Sequence, residues 1–464
     1  MVVMLLAPTT GEPNSDDSQC QTKMCLSTCR TKYPELLDRA NHELRPWLDD
    51  GITPSMLDQT WLCNNSANKS KRRLNGVLVS IRDGIPKYEF SGSESRGSKV
   101  MQMIDAVASD FNLPDVDFVM ITSDHLWQTF GDRPYSGSFD ASTAPILVPY
   151  RLQKDTCSVA APDWTFFSLS DVSQNHTAGI DKKSSEIYAI AKDIPWETKV
   201  PKLFFMGDAA RGSTRERAWV LSIKDQVPLE QKWGAIGIGP PNRYARVVSK
   251  LGLVDFTLDP ESQFKSTSHS DHCRYRYVLN LCGNAGSNRF KVRKASLLVS
   301  FFLVSIIAFF KNPNQCHLCC MYIYFLLLLQ YLFFCDSVVV SPLRNGGFGA
   351  SEGNEFEEFW HHRLEPNVTF VQPSSIDALA ETVKAFRNDD AVARRIAAAG
   401  LAWAKRELTQ EAAWCYWAHL IDLLAALERK GGGPNFTPQV HDSSLSKHPH
   451  HFGTCLNEPS FGSS

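Results

Sequence analysis

Residues 271–291 place a strand directly ahead of a loop of phosphate size. Tyr275 to Leu281 is apolar and β-prone, Gly283, Ala285, Gly286 and Ser287 are small, and Arg289 stands where a following helix would begin. Backbone N–H groups across Asn284, Ala285, Gly286, Ser287 and Asn288, with one guanidinium from Arg289, suit a diphosphate. Arg217, in the charged run Ser213-Thr214-Arg215-Glu216-Arg217, is by its sequence setting alone ordinarily a solvated surface residue. Asp124 stands just after the buried-type strand Val116 to Thr122, a position from which a carboxylate can take a proton from a hydroxyl. An aspartate there also caps helices and forms turns, and Asp132 is a rival for the same role.

These residues need two sets of strands to hold them. Val77 to Ile81 and Ile85 to Phe90 alternate around Arg82-Asp83-Gly84, a hairpin signal. A helix over Lys99 to Phe111 follows, then the strand ending near Asp124, then another strand over Pro145 to Val148. A linking helix over Ser184 to Lys192 leads to Ile194-Pro195-Trp196, and Lys202 to Phe205 opens a second strand-helix series. Strand and helix patterns alternating at this spacing predict an α/β fold with open sheets, whose carboxyl strand ends face a cleft. The spans are a cysteine-bearing arm with helices over Tyr33 to Trp47 and from Thr53 (1–75), a first Rossmann-like domain (76–193), a second with closing helices (194–430), and a Gly/Pro/Ser/His-rich tail (431–464) expected to be disordered. The closing helices are read over Ile376 to Phe386, Ala391 to Lys405 and Gln410 to Leu427.

Composition removes several classes. With 464 residues, 43% hydrophobic and 21% charged, the chain buries more than one core. A formal net charge of -2 supplies no basic field, so no nucleic-acid partner is expected. The 13 cysteines and the Asn-X-Ser/Thr sites at Asn64, Asn68, Asn175, Asn367 and Asn435 fit an oxidising secretory lumen, the endoplasmic reticulum or Golgi. Met1 to Pro8 has neither the basic start nor the apolar length of a signal peptide, so either the start is truncated or the chain is delivered by another route. No Asp-X-Asp chelating pair stands near a strand end, and His361-His362 and the tail histidines 448–451 are read as surface residues, so neither metal nor cofactor is expected.

The string Asp271-His272-Cys273-Arg274-Tyr275-Arg276-Tyr277 through Ser287-Asn288-Arg289-Phe290-Lys291 closely resembles glycosyltransferase family 90, the group of Rumi-type protein O-glucosyltransferases and fungal capsule xylosyltransferases. That resemblance implies a GT-B fold, two Rossmann-like domains facing a cleft, and an inverting, metal-independent transfer of glucose or xylose from a UDP-sugar to a Ser/Thr or glycan hydroxyl by a monomer. Val119-Met120-Ile121-Thr122-Ser123-Asp124 is similar to the family's motif for its catalytic aspartate, with Leu126 where a proline is usual. Pro162-Asp163-Trp164-Thr165-Phe166-Phe167 is similar to the aromatic wall beside its sugar site, with Trp164 as the contact, although such a run is more often plain core than a ligand contact. Phe204-Phe205-Met206-Gly207 with Arg217 resembles its donor-binding motif, with Met206 replacing an Arg and Ala218 an Asp. Those two departures motivate the alternative of a catalytically weakened relative, acting as a lumenal sugar-binding or structural protein. The resemblance also pairs Cys273 with Cys335, and Cys415 with either Cys25 or Cys29.

One segment interrupts the pattern. Residues 292–330 carry two apolar runs, about 296–310 and 321–334, each shorter than the ~20 residues a membrane span needs, which leaves a membrane hairpin doubtful. Joining Lys291 to Tyr331 restores the family's helix-then-strand sequence. Val292-Arg293 and Gln330, with a Tyr/Phe/Leu-rich stretch before the latter, admit codons that imitate the ends of an unspliced intron, so 292–330 reads as translated intron sequence rather than a membrane insertion.

Overall fold

The computed structural model describes residues 23–65, 76–91, 94–122, 143–152, 158–167, 179–204, 206–207, 245–246, 254–255, 269–280, 329–341, 348–349, 355–374 and 378–433. The helices are α1 (Leu26–Lys32), α2 (Pro34–Glu43), α3 (Pro54–Asn65), α4 (Glu94–Asp110), α5 (Ile180–Lys192), α6 (Leu329–Leu332), α7 (Leu379–Asn388), α8 (Asp390–Glu407) and α9 (Gln410–Lys430). The strands are β1 (Gly76–Arg82), β2 (Ile85–Ser91), β3 (Val116–Ile121), β4 (Ile146–Val148), β5 (Arg151–Leu152), β6 (Ser158–Ala160), β7 (Val200–Phe204), β8 (Met206–Gly207), β9 (Ala245–Arg246), β10 (Val254–Asp255), β11 (Tyr275–Leu279), β12 (Val338–Val340), β13 (Phe348–Gly349) and β14 (Glu355–Glu357).

The first large sheet runs β2-β1-β3-β4-β6. Its hairpin pairs Arg82 with Ile85, leaving a two-residue turn in which Asp83 and Gly84 both take positive φ, 51° and 72°. That is the turn whose twist suits adjoining antiparallel strands, and Asp-Gly is the residue pair that tolerates it. β1 pairs antiparallel with β3, whereas β3-β4 and β4-β6 are parallel. The sheet is therefore mixed, a point that an alternating strand-helix pattern alone does not reveal.

The second large sheet is parallel throughout, in the order β10-β7-β11-β12, and Val371 adds a parallel bridge beyond Val340. In chain order that is 2-1-3-4 with a fifth chain segment on the far side. The connection from β7 goes to one flank and the next returns to the other, so the carboxyl ends of β7 and β11 form the switch point at which open α/β sheets hold ligands. α8 covers this sheet, with Gly400 so close that an added Cβ would lie 2.5 Å from the Thr369 carbonyl oxygen.

α9, the last of the closing helices, crosses to the first sheet. Phe118 of β3 meets Trp417 at 6.3 Å, the Tyr416 hydroxyl donates to the Ala160 carbonyl (3.1 Å) and the Trp417 indole to the Pro162 carbonyl (3.2 Å). Trp414, Tyr416 and Trp417 are all buried, which makes α9 apolar around most of its circumference, as a helix enclosed by sheet and arm must be. Opposite the sheet lies the N-terminal arm, tied on by the Cys29–Cys415 disulfide and by Arg30–Asp422 and Lys32–Glu411 ion pairs, both 2.6 Å. Those exposed pairs contribute at most ~1 kcal/mol each, so the bridge and the buried aromatics dominate.

At its last turns α9 presents Glu428, whose two carboxylate oxygens accept the Asp117 backbone N–H at 3.1 and 3.0 Å. Asp117 in turn pairs with Arg82 at 2.5 Å. Burial pushes Glu428 up from 4.5 to about 8, with the nearby Asp117 carboxylate adding to the rise and its N–H and Arg82 opposing it. An acid whose pKa is raised by folding contributes stability below its unfolded pKa and loses it as pH climbs through the folded value. Stability should therefore fall for this reason between pH about 5 and about 8, and Glu428→Gln should flatten that slope in denaturant titrations across the range. An identical slope in the variant would exclude Glu428 as its source.

Candidate functional site at the carboxyl edge of the parallel sheet

The residues that lead into the switch point are firmly built. Phe204, the last residue of β7, stacks on Tyr275 at 4.3 Å with 14° between the rings, and His272 packs edge-on against it at 5.0 Å. Tyr277, Val278 and Leu279 of β11 are buried. Immediately beyond, Asn280 is fully buried, its N–H donating to the Val340 carbonyl (2.8 Å) and its side-chain amide to the Ser341 hydroxyl (3.2 Å). The Asn280 side-chain oxygen has no hydrogen-bond partner. Asn280 and Ser341 thus clasp the carboxyl ends of β11 and β12 where the chain turns toward residues 284–289. Asn280 does not stand out in the sequence, because an asparagine after a strand is an ordinary turn former.

The opposite, amino edge of the same strands carries the fastening. Cys273 is bonded to Cys335, one just ahead of β11 and the other just ahead of β12. Lys199, almost wholly buried, donates to the carbonyls of Cys335 and Asp336 (both 2.6 Å) and to the Ser337 hydroxyl (3.2 Å). Burial lowers its pKa to about 8, against the raising influence of Asp336. Three acceptors match the three donors of an ammonium, so Lys199 fixes the turn through Asp336, which adopts a left-handed φ of 48°. The chain that leaves at Asn280 is thereby held at its return, whatever lies between. Of the choices open for Cys415, the structure takes Cys29, while Cys25 is itself disulfide-bonded.

Trp164 begins a short 3-10 turn capped by Asp163, whose carboxylate accepts from the Thr165 N–H (3.0 Å) and hydroxyl. It is buried, and its neighbours Phe166 and Phe167 pack on Phe359 (5.3 Å) and Trp414 (6.1 Å). This aromatic run is core of the first domain at the crossing of α9. Beside it Glu358 accepts from the Trp360 indole (3.0 Å) and is pushed well up by burial and by Asp163, while burial holds His361 well below its usual value and therefore neutral. His361 Nδ1 accepts the Glu358 N–H, whereas His362 Nε2 meets the Glu35 carbonyl, so the two histidines serve different neighbours. His361 is thus buried rather than a surface residue. Among the described residues no group of three or more His, Cys, Asp or Glu is arranged to hold a metal.

The remaining sequence candidates lie outside the described residues: Asp124, Asp132, Arg217, and Asn284, Ala285, Gly286, Ser287, Asn288 and Arg289. So do 292–328 and the tail from 434. What the structure describes is the elements that precede each in sequence: β3 with the buried Thr122 before Asp124, β7 and the short β8 before Arg217, and β11 with Asn280 before residues 284–289.

A parallel sheet whose switch point lies at the carboxyl ends of β7 and β11 is the arrangement in which open α/β sheets hold ligands. The profile of glycosyl transferase family 90 matches residues 27–298 and 326–444, and the chain belongs to that family. It is 24% identical over 420 residues to O-glucosyltransferase rumi of Drosophila melanogaster, covering 88% of this chain and 80% of that protein. It is also 23% identical to protein O-glucosyltransferase 1 of Mus musculus, over 67% of this chain and 62% of the relative, and 27% identical to protein O-glucosyltransferase 1 of Homo sapiens, over 56% and 52%. The chain spans only half to three fifths of those two mammalian relatives. It is a glycosyltransferase by family, and the family match breaks off at 299–325, inside the segment that interrupts the sequence pattern.

Proposed function

We propose that the chain is an inverting, metal-independent glycosyltransferase of GT-B architecture, moving glucose or xylose from a UDP-sugar to a protein Ser/Thr or glycan hydroxyl. Asp124 takes the hydroxyl proton, the acceptor oxygen attacks the anomeric carbon from the face opposite UDP, and the carbon–oxygen bond to the diphosphate breaks as the new one forms. Charge builds on the leaving diphosphate, where Arg217, Arg289 and the amides of 284–288 receive it. No resident cofactor takes part, because the UDP-sugar is itself a substrate. The observation that carries the reading is the strand order β10-β7-β11-β12, since both arginines follow, in sequence, the two strands whose carboxyl ends bound the switch point.

The disulfides Cys29–Cys415 and Cys273–Cys335 support residence in the oxidising lumen of the secretory pathway, and no helix among the described residues is long and apolar enough to cross a membrane. The reading is that of a monomer acting on an acceptor glycoprotein or glycan. Arg289→Ala and Arg217→Ala should each weaken UDP binding by roughly tenfold or more, the loss of a charge-assisted hydrogen bond to an otherwise unshielded diphosphate. Calorimetric titration with UDP reads this directly, and unchanged affinity in both variants would remove the two arginines from the donor site.

A further inference from the structure

We propose that Asn367 is an N-glycosylation site, carried by the folded enzyme on the amino side of the parallel sheet, away from the carboxyl ends of β7 and β11. The sequon Asn367-Val368-Thr369 occupies a tight turn between His361–Arg363 and the strand residue Val371. The turn is closed by Asn367 N–H to the Phe370 carbonyl (2.6 Å) and by the N–H groups of Val368 and Thr369 to the Glu365 carbonyl (3.1 and 2.9 Å). Asn367 takes a left-handed φ of 61°, a conformation that asparagine tolerates and bulkier residues avoid, and it is exposed together with Val368 (49% exposed). Thr369 is turned inward: its hydroxyl accepts the Glu365 N–H (2.9 Å), and its carbonyl lies against Gly400 of α8. One side of the turn therefore packs and the other faces solvent, so among the described residues nothing stands in the way of a bulky glycan on Asn367.

Asn64, by contrast, lies in the last turn of α3, and Asn68, Asn175 and Asn435 lie outside the described residues. Asn367 precedes Val371, which pairs in parallel with Val340, so the turn lies toward the amino side of the sheet, while the switch point lies at the carboxyl ends of β7 and β11. In the modification the Asn367 amide nitrogen attacks the anomeric carbon of a polyprenyl-diphosphate-linked oligosaccharide. A C–N bond forms, the carbon–oxygen bond to phosphate breaks, the lipid diphosphate departs, and the amide proton is released to solvent.

The proposal rests on lumenal residence as read above, and the experiment separates the two. The full chain is produced behind a secretory leader in a eukaryotic host, and its tryptic peptides are mapped with and without an amidase that releases N-glycans and leaves aspartate. Peptide 364–384 contains a single sequon. It is expected to carry glycan and to show Asp at 367 after release. Asn367→Gly, which keeps the positive φ and removes the acceptor amide, should lose that glycan while binding UDP as the wild type does. A bare 364–384 peptide in chain that has formed the Cys29–Cys415 bridge and carries glycan at another sequon overturns the proposal and leaves lumenal residence standing. Chain that stays reduced and bears no glycan anywhere overturns both.

Discussion

Replacing Asp124 with asparagine is expected to lower sugar transfer by ~10²-fold or more while leaving UDP affinity close to that of the wild type. The asymmetry follows from where the residue acts. Asparagine keeps the size and polarity of the side chain, so nothing that recognises the donor is disturbed, but it cannot accept the proton that the acceptor hydroxyl must shed. Single-turnover transfer measured beside a UDP titration separates the two quantities. Turnover within a few-fold of the wild type would eliminate Asp124 and promote Asp132, which follows the same strand β3 at greater distance.

The second large effect concerns residues 292–330. Their removal is expected to give a chain that retains the Cys273–Cys335 bridge and binds UDP, whereas the 464-residue chain binds it poorly or misfolds. The ends of this excursion are fixed on both edges of the sheet: Leu279 pairs with Val340, Asn280 clasps Ser341, and Cys273, Cys335 and Lys199 hold the opposite edge. Arg289 stands just ahead of the segment in sequence, so 39 apolar-rich residues follow it before the chain reaches Tyr331 and β12. In the chain-entropy estimate the bridge stabilises by ~3–4 kcal/mol with either loop length, so its survival is governed by whether the insert can be looped out rather than by loop closure itself. The family match supports the reading, since it stops at 298 and resumes at 326. Equal UDP affinity in both forms, with the bridge intact by non-reducing peptide mapping, would show the segment to be a tolerated insertion.

What the sequence disclosed is what local chemistry dictates. Asp83-Gly84 announces the hairpin because few residue pairs accept two successive positive φ values. The apolar run at 116–122 announces β3, and Tyr275 to Leu281 announces β11, each within two residues. Helix bounds shifted where capping decides them: Asp389 caps α8 through the Val392 N–H and Thr409 caps α9 through the Ala412 N–H, while Pro46 ends the helix expected over Tyr33 to Trp47 in a 3-10 turn.

Apart from the cysteine pairs that the family resemblance named, long-range partners were not legible. Nothing local to Trp414-Cys415-Tyr416-Trp417 states that this helix returns to the first sheet, or that Glu428 will receive a backbone N–H from Asp117, 311 positions away. Lys199 reads as one more surface lysine until burial beside three acceptors shows it to be a clamp. The same holds for Arg39, which bridges Glu43 of its own helix to Glu357 of β14, a contact visible only once the arm and β14 are brought together. Asn280 belongs with these, for its importance comes from the register of β11 against β12 and not from its neighbours in sequence.

The central claim is donor-dependent transfer, and one assay addresses it. Purified protein is incubated with UDP-glucose or UDP-xylose, with and without a Ser/Thr-bearing glycoprotein acceptor, in the presence of a metal chelator. The account predicts UDP release that depends on acceptor, a single hexose or pentose added to an acceptor hydroxyl by mass, and a linkage of anomeric configuration opposite to that of the donor. Saturable UDP binding with no acceptor-dependent release from either donor, or a product that keeps the donor's configuration, would contradict it.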